Sequence, residues 1–137
     1  LKVAPEHAQE KILKIMGKPR IEALLEFKTI FEKLNRDAGC RQFLTYYFIA
    51  AHPGCTDEDM RDLKAFTSRN LKINPQQVQI FTPTPSTYSS LMYWTGIDPA
   101  TGRKIFVEKD AGKKQKQKDI LVQNHPSQAK RYNKSFS

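Results

Sequence analysis

The feature that most constrains this chain is an apolar and aromatic run, residues 43–51, that passes directly into the turn His52-Pro53-Gly54. Such a run is typical of a strand buried on both faces, as in the middle of a parallel sheet. Thr56 follows the turn, and residues 57–59 are all acidic. This pattern predicts a capped helix start, because carboxylates favour the positive end of the helix dipole.

The flanking segments continue an alternation of strands and helices. Residues 2–4 and 78–81 have short β-like patterns, and residues 8–16 and 21–38 have apolar residues at helical spacing. Residues 86–94 and 109–124 predict further helices, and residues 105–107 predict an edge strand. Alternation of this kind predicts an α/β fold with parallel strands. Three strands form a poor complete sheet, so we expect half of a barrel or of an open sheet, followed by a C-terminal extension.

The ends of the three main strands are the candidate binding positions. In parallel α/β folds, ligands bind at the carboxyl ends of the strands. Here those ends are residues 5–7, 51–54 and 82–85, and they face one side if the strands are adjacent. Ordinary turns contain the same residue types, so both interpretations stay open. His52 could act as a base, contact a ligand, or bond only to the backbone of its turn.

Other classes of site lack their sequence signatures. The chain contains no Walker loop, GxGxxG fingerprint, HExxH motif or Ser-His-Asp order. Two cysteines, Cys40 and Cys55, are too few for a metal cluster motif, so we expect no metal site. No apolar run approaches the length needed to span a bilayer, and no signal peptide is recognisable. These features predict a reducing, cytoplasmic setting without a membrane partner.

Basic residues concentrate at the C-terminal end. Residues 103–137 carry +7 of the chain's net charge of +9, including the run at 113–118. The run predicts either a solvated surface or a contact with nucleic acid or another acidic partner. The aromatic residues that follow it in sequence are few, namely Tyr132 and Phe136. A non-enzymatic binding module is therefore the alternative function, and we expect residues 126–137 to be disordered.

Three segments together resemble a known superfamily. They are LKVAPEHAQEKILKIMGKP, YYFIAAHPGCTDEDM and QIFTPTPSTYSSLMYWTGIDP. In this order and at these distances they resemble successive parts of radical S-adenosylmethionine (SAM) proteins, most closely the YgiQ family. The resemblance implies the C-terminal part of a partial parallel (β/α) barrel over residues 1–85 and a family extension over residues 86–125.

The same resemblance implies how the strand ends are used. Residues Ile49, Ala51, His52 and Pro53 would help hold the adenosine part of the cofactor. Glu6 and His7 would lie near its ribose and methionine parts. Phe81, Thr82 and Pro83 would offer contacts to adenine. Cys55 replaces a glutamate that related methylthiotransferases have in this turn.

An absent motif limits what this segment is expected to do alone. Radical SAM proteins bind a 4Fe–4S cluster through CxxxCxxC, and this chain has no such spacing. We therefore expect the cluster loop to lie in a missing N-terminal half of the same protein, which is the expected partner. Isolated, the segment is expected to be inactive, to bind no cofactor tightly, and in the simplest case only to self-associate through an exposed apolar edge. The parent's substrate is not named by any motif.

Overall fold

The computed structural model describes residues 1–122, which form a parallel three-stranded sheet and five α-helices. In chain order the elements are β1 (Lys2–Glu6), α1 (Glu10–Met16), α2 (Ile21–Asp37), β2 (Thr45–Ala50), α3 (Asp57–Phe66), β3 (Gln77–Ile80), α4 (Tyr88–Thr95) and α5 (Ala111–Val122). The strand order is β1-β2-β3, and both pairings are parallel. The predicted α/β class with parallel strands is confirmed; closure into a partial barrel stays a prediction.

Strand β2 lies at the centre of the sheet and has two different faces. Tyr46, Phe48 and Ala50 are buried in the main core, whereas Tyr47 and Ile49 are only half-buried. The expectation that this strand is buried on both faces was therefore wrong. Successive side chains of a strand point to opposite sides of the sheet, and only Tyr46, Phe48 and Ala50 of this strand belong to the core cluster. The other side of β2 is left to line a cavity.

Helix α3 begins as its sequence predicts. The Thr56 hydroxyl accepts the Asp59 backbone N–H at 3.3 Å, and the Asp59 carboxylate accepts the Thr56 backbone N–H at 2.9 Å. These two bonds form a capping box, which satisfies donors that a helix start otherwise leaves unpaired. Met60 and Leu63 are then fully buried against the sheet. The helix continues into a π-helical turn over Thr67–Leu71.

Helix α2 is only partly packed. Ile21, Leu24 and Leu25 contact the core cluster, but no residue of this helix is fully buried. Ile30 and Leu34 lie exposed on its surface. An apolar stripe of this kind ordinarily packs against another element. Among the described residues 1–122, no helix is both long enough and apolar enough to cross a membrane.

The segment between α4 and α5 does not form the edge strand expected at residues 105–107. It forms a single antiparallel bridge between Ile97 and Lys104, around a turn with Pro99 and Gly102. The carbonyl of Phe106 instead accepts the backbone N–H of Gly54 at 2.7 Å. The Phe106 carbonyl, which could otherwise bond to a neighbouring strand, is therefore bonded to the turn after β2.

Helix α5 packs on α3 and β3 and is joined to the turn after β2 by one side chain. The amide oxygen of Gln117 accepts the backbone N–H of Ala51 at 3.0 Å, and its amide nitrogen donates to the carbonyl of Cys55 at 3.1 Å. Leu121 belongs to the same core cluster as β2. The predicted boundary at residue 85 stays a prediction, although residues on both sides of it share this core. The expected disorder at 126–137 lies outside the described residues.

The buried amide of Gln117 yields a stability prediction. In the Gln117→Leu variant, one buried N–H and one buried carbonyl lose their partners, which costs roughly 2–4 kcal/mol of unfolding free energy. Urea unfolding followed by circular dichroism measures the change. Gln115→Leu is the matched control, because Gln115 is exposed on the same helix and its side-chain amide donates to Asp119 of that helix. We expect that variant to stay within about 0.5 kcal/mol of the parent. Equal losses in both would contradict this role of Gln117.

Candidate ligand site

The carboxyl ends of the three parallel strands open onto one cavity of about 450 Å³. Strand β1 contributes Glu6, strand β2 contributes Ile49 and the residue His52 after it, and the end of β3 contributes Phe81 and Thr82. Five of the nine sequence-predicted site residues therefore line the same space. Thr84, which belongs to the predicted strand end 82–85, also lines it. Tyr47, Gln79, Thr87 and Ser89 line it as well and were not predicted.

Two of the strand ends have a left-handed backbone at residues that are not glycine. The φ angles are 66° at Glu6 and 58° at Ala51. This conformation crowds the side chain against the backbone, so surrounding contacts must hold it in place. The Glu6 carboxylate pairs with the Lys18 ammonium at 3.1 Å, and Gln117 holds Ala51. Backbone strain of this kind is concentrated at binding and catalytic sites in proteins.

His52 is held in one tautomer by its neighbours. Its Nδ1 lies 2.9 Å from the carbonyl oxygen of Pro53, so Nδ1 carries the proton and donates it. Its Nε2 then accepts the hydroxyl of Ser89 at 2.8 Å. Burial lowers the pKa of His52, although the bond to Pro53 and the charge of Glu6 oppose this shift. His52 is therefore neutral near pH 7, and its acceptor is already occupied, which suits a positioning role better than that of a free base.

Aromatic and polar groups surround this imidazole. The Phe81 ring packs edge-on against it, with ring centroids 5.1 Å apart. On the far wall, the Tyr47 hydroxyl donates to the amide oxygen of Gln79 at 2.6 Å. The cavity thus offers an aromatic surface, hydroxyl and amide groups, and one carboxylate. Such a set can stack on a flat ring and bond to hydroxyls or to an ammonium group.

A second cluster, around His7 and Cys55, lies outside the lining of the cavity. The His7 Nδ1 accepts the Gln9 backbone N–H at 3.0 Å, and its Nε2 faces the Cys55 sulfur at 3.6 Å. Burial lowers the pKa of His7 to about 4, against the opposing charge of Asp59. Burial also raises the pKa of the Cys55 thiol to about 12. Both groups are therefore neutral, and the pair lacks the thiolate that nucleophilic attack or metal binding requires.

The remaining predicted residues occupy other places. Ala51 and Pro53 are buried in the turn after β2, and Pro83 lines a neighbouring groove rather than the cavity. Cys40 is exposed on the connection after α2. Within residues 1–122, no three His, Cys, Asp or Glu side chains are arranged to hold a metal ion. The prediction that Ala51, Pro53, His7 and Pro83 bind a cofactor stays a prediction.

Sequence reasoning missed Ser89, although a signal was present. Residues 82–90 read TPTPSTYSS, in which residues 82–85 were predicted to end a strand and residue 86 to begin a helix. Serine and threonine at a helix start turn their side chains toward the preceding loop. Thr87 caps α4 in this way, accepting the backbone N–H of Ser90 at 3.1 Å. That cap brings the first turn of α4 against the strand end, and Ser89 reaches His52.

Comparison with known proteins identifies relatives named UPF0313 proteins. A UPF0313 protein from Fusobacterium nucleatum is 63% identical over 123 residues, which is 90% of this chain and 22% of that protein. UPF0313 proteins from Thermotoga maritima and Bacteroides thetaiotaomicron are 44% and 42% identical, over 96% and 95% of this chain. Its close homologues are UPF0313 proteins. The chain spans about a fifth of the length of these curated relatives, so their other regions correspond to nothing in it.

The other two comparisons add no assignment. No protein-family model matches the chain. No solved structure matches it either. The relatives' shared name states no ligand or reaction, so function must be argued from the cavity.

The buried imidazole of His7 yields a pH prediction. Its pKa falls from 6.5 to about 4 on folding, so between these values the unfolded chain binds a proton that the folded chain does not. Stability is then full above pH 6.5 and is lost as the pH falls toward 4. Between about pH 7 and pH 5, this group alone costs about 2 kcal/mol of unfolding free energy.

Urea unfolding of the parent chain and of His7→Gln at both pH values tests this. We expect the variant to lose about 2 kcal/mol less than the parent on acidification. His52→Gln is the comparison variant, because burial lowers the pKa of His52 as well and this histidine contributes its own part. Asp59 does not interfere, since its pKa is lowered from 3.8 and its contribution is lost only below this window. An unchanged pH dependence in His7→Gln would contradict the assignment.

Proposed function

We propose that this chain is the C-terminal segment of a radical SAM enzyme of the YgiQ type and contributes part of its S-adenosylmethionine site. The observation that carries the proposal is the single cavity at three parallel strand ends, lined by Glu6, His52 and Phe81. This is the position at which parallel α/β folds bind ligands. The chain matches only about a fifth of each UPF0313 relative. This coverage supports the proposal that it is one segment of a longer protein.

The lining residues fit the chemistry of S-adenosylmethionine. The volume of about 450 Å³ lies in the usual range for small-ligand pockets. Phe81 and Ile49 supply an aromatic ring and an apolar side chain for a flat adenine. The carboxylate of Glu6 accepts hydrogen bonds from ribose hydroxyls or from the ammonium of the methionine part. The neutral His52, fixed by Ser89 and Pro53, gives this wall a constant shape.

The cysteines of this chain do not fit a 4Fe–4S cluster. Such a cluster needs converging thiolates, and Cys55 is buried with its thiol pKa raised to about 12. The segment's own residues therefore bind and orient the cofactor. The electron that would cleave S-adenosylmethionine to a 5′-deoxyadenosyl radical would come from a cluster held elsewhere in the whole protein.

The test uses the full-length protein that contains this segment, reconstituted with iron and sulfide and reduced with dithionite. We expect it to bind a cluster, seen by its absorbance, and to form 5′-deoxyadenosine from S-adenosylmethionine. The Ile49→Arg variant places a long charged side chain in the cavity, so 5′-deoxyadenosine formation should fall by about a hundredfold. Its cluster absorbance should remain, because the cluster is held outside this segment.

Two controls make this test specific. Ile30→Arg puts the same side chain on the exposed surface of α2 and should leave product formation unchanged. The isolated 137-residue chain should show neither cluster absorbance nor 5′-deoxyadenosine. A cluster in the isolated chain, or a full-length protein with no 5′-deoxyadenosine above background, would refute the proposal.

A further inference from the structure

Helix α4 presents two exposed aromatic side chains that the cavity does not use. Tyr88 is 77% exposed and Trp94 is 68% exposed, with Leu91 exposed between them. We call these three residues the α4 face. Aromatic side chains bury 150–250 Å² each when they pack, so leaving two of them in water is costly. A contiguous exposed apolar surface of this kind marks an interaction site.

The α4 face forms one wall of an open groove of about 730 Å³. The other wall is the loop after β3, with Pro83, Pro85 and the hydroxyl residues Thr84 and Ser86. None of the residues that line this groove, all within the described part of the chain, is acidic. The groove therefore combines aromatic walls with hydroxyl groups and without a negative charge.

Lysines of the C-terminal region lie beside these aromatic rings. The Lys109 ammonium lies 5.9 Å from the ring centre of Trp94 and 5.7 Å from that of Tyr93. The Lys114 ammonium lies 5.1 Å from the Tyr93 ring and donates to its hydroxyl at 3.1 Å. Tyr93 in turn packs edge-on against Trp94, with centroids 5.2 Å apart. Cations in contact with aromatic faces are thus fixed at the edge of the groove.

The acidic residues nearby are engaged in local bonds. The Glu108 carboxylate accepts the Asp110 backbone N–H at 3.0 Å, and the Asp110 carboxylate accepts the Lys113 backbone N–H at 2.8 Å. Both carboxylates bond to backbone N–H groups at the start of α5. From Arg103 to Lys118 the sequence has seven basic residues and these two acidic ones. Lys116 pairs with Asp57, so the cations shown beside the aromatic rings are Lys109 and Lys114.

We propose that the α4 face binds single-stranded nucleic acid. Bases stack on Trp94 and Tyr88, and phosphates meet Lys109 and the other lysines at the edge of the groove. Exposed aromatics beside a positively charged groove are how proteins bind single strands without reading sequence. An apolar polypeptide fits less well, because covering Trp94 would also remove the Lys109 ammonium from water without a counter-charge. A duplex fits less well too, because its base faces are already stacked.

The sequence pattern alone did not predict the α4 face. Only two aromatic residues follow the basic run at 113–118, so the sequence indicated few aromatic residues among the lysines. The fold brings Tyr93 to Lys114 of that run, and Trp94 to Lys109 just before it. The proposal is independent of the cavity and of its cofactor.

Trp94 is the only tryptophan of the chain, so its fluorescence reports directly on this face. We expect saturable quenching when the 137-residue chain is titrated at low salt with a single-stranded oligothymidylate of about ten nucleotides. The logarithm of the association constant should fall linearly with the logarithm of salt, by about 0.7 per phosphate contacted. A duplex of matched length should bind more weakly.

Variants separate stacking from charge, with a labelled oligothymidylate and fluorescence anisotropy as the readout. Trp94→Ala and Tyr88→Ala should each weaken binding about tenfold, because each removes one stacked base. Phe43→Ala removes an aromatic that is 79% exposed elsewhere and should leave the affinity unchanged. Lys109→Gln should reduce the salt slope by about 0.7. Circular dichroism confirms that each variant keeps the parent's helix content.

Three outcomes would overturn the proposal. The first is equal affinity of Trp94→Ala and the parent chain, which would leave only non-specific attraction by the lysines. The second is binding of heparin with the same quenching of Trp94, since heparin has charge but no bases. The third is fluorescence that depends on protein concentration and not on added oligonucleotide, which would identify a second copy of this chain as the occupant of the α4 face.

Discussion

The two hydrogen bonds of Gln117 connect the C-terminal helix to the turn on which the candidate site depends. The turn leaves the central strand at Ala51, whose backbone is left-handed and whose N–H is buried. A buried N–H with no partner costs about 1–3 kcal/mol, so this conformation needs an acceptor from outside the turn. Gln117 supplies it and also satisfies the carbonyl of Cys55. Helix α5 thereby stabilises the turn at the candidate site, although none of its residues lines the cavity.

The same turn explains how one strand can serve both the core and a cavity. Phe48 and Ala50 of β2 pack under α3, and Ile49 and Tyr47 point to the opposite side. A sheet covered by helices on one side alone leaves that opposite side open. The free side becomes a site because the strand ends bend away sharply and bring His52 and Phe81 over it. The exposed stripe on α2 is consistent with packing against further elements of a longer protein.

What the sequence could predict follows from which signals are local. The Thr56 capping box follows from a pattern within a few residues. Parallel strands with converging ends follow from the alternation of strand and helix patterns, each of which lies within its own segment. The bond between Ser89 and His52 spans 37 residues, and the bond between Gln117 and Ala51 spans 66. The spacing of residues in the sequence does not predict such pairs, because they depend on how the helices and strands pack against each other. The prediction of a strand at 105–107 was wrong for the same reason, because the Phe106 carbonyl accepts the backbone N–H of Gly54, which is distant in sequence.

The cavity and the groove beside α4 are neighbours that share part of their walls. Thr84 and Thr87 line both, and Ser86 between them has a left-handed backbone with φ of 62°. The Ser90 hydroxyl accepts the backbone N–H of Thr84 at 2.8 Å, which fixes this loop to the start of α4. A ligand on either side therefore contacts a loop that also shapes the other side. A ligand at one site changes the affinity of the other site when both ligands influence a common element. The change in affinity is then equal in both directions. In the described part of this chain, the loop between β3 and α4 is that shared element.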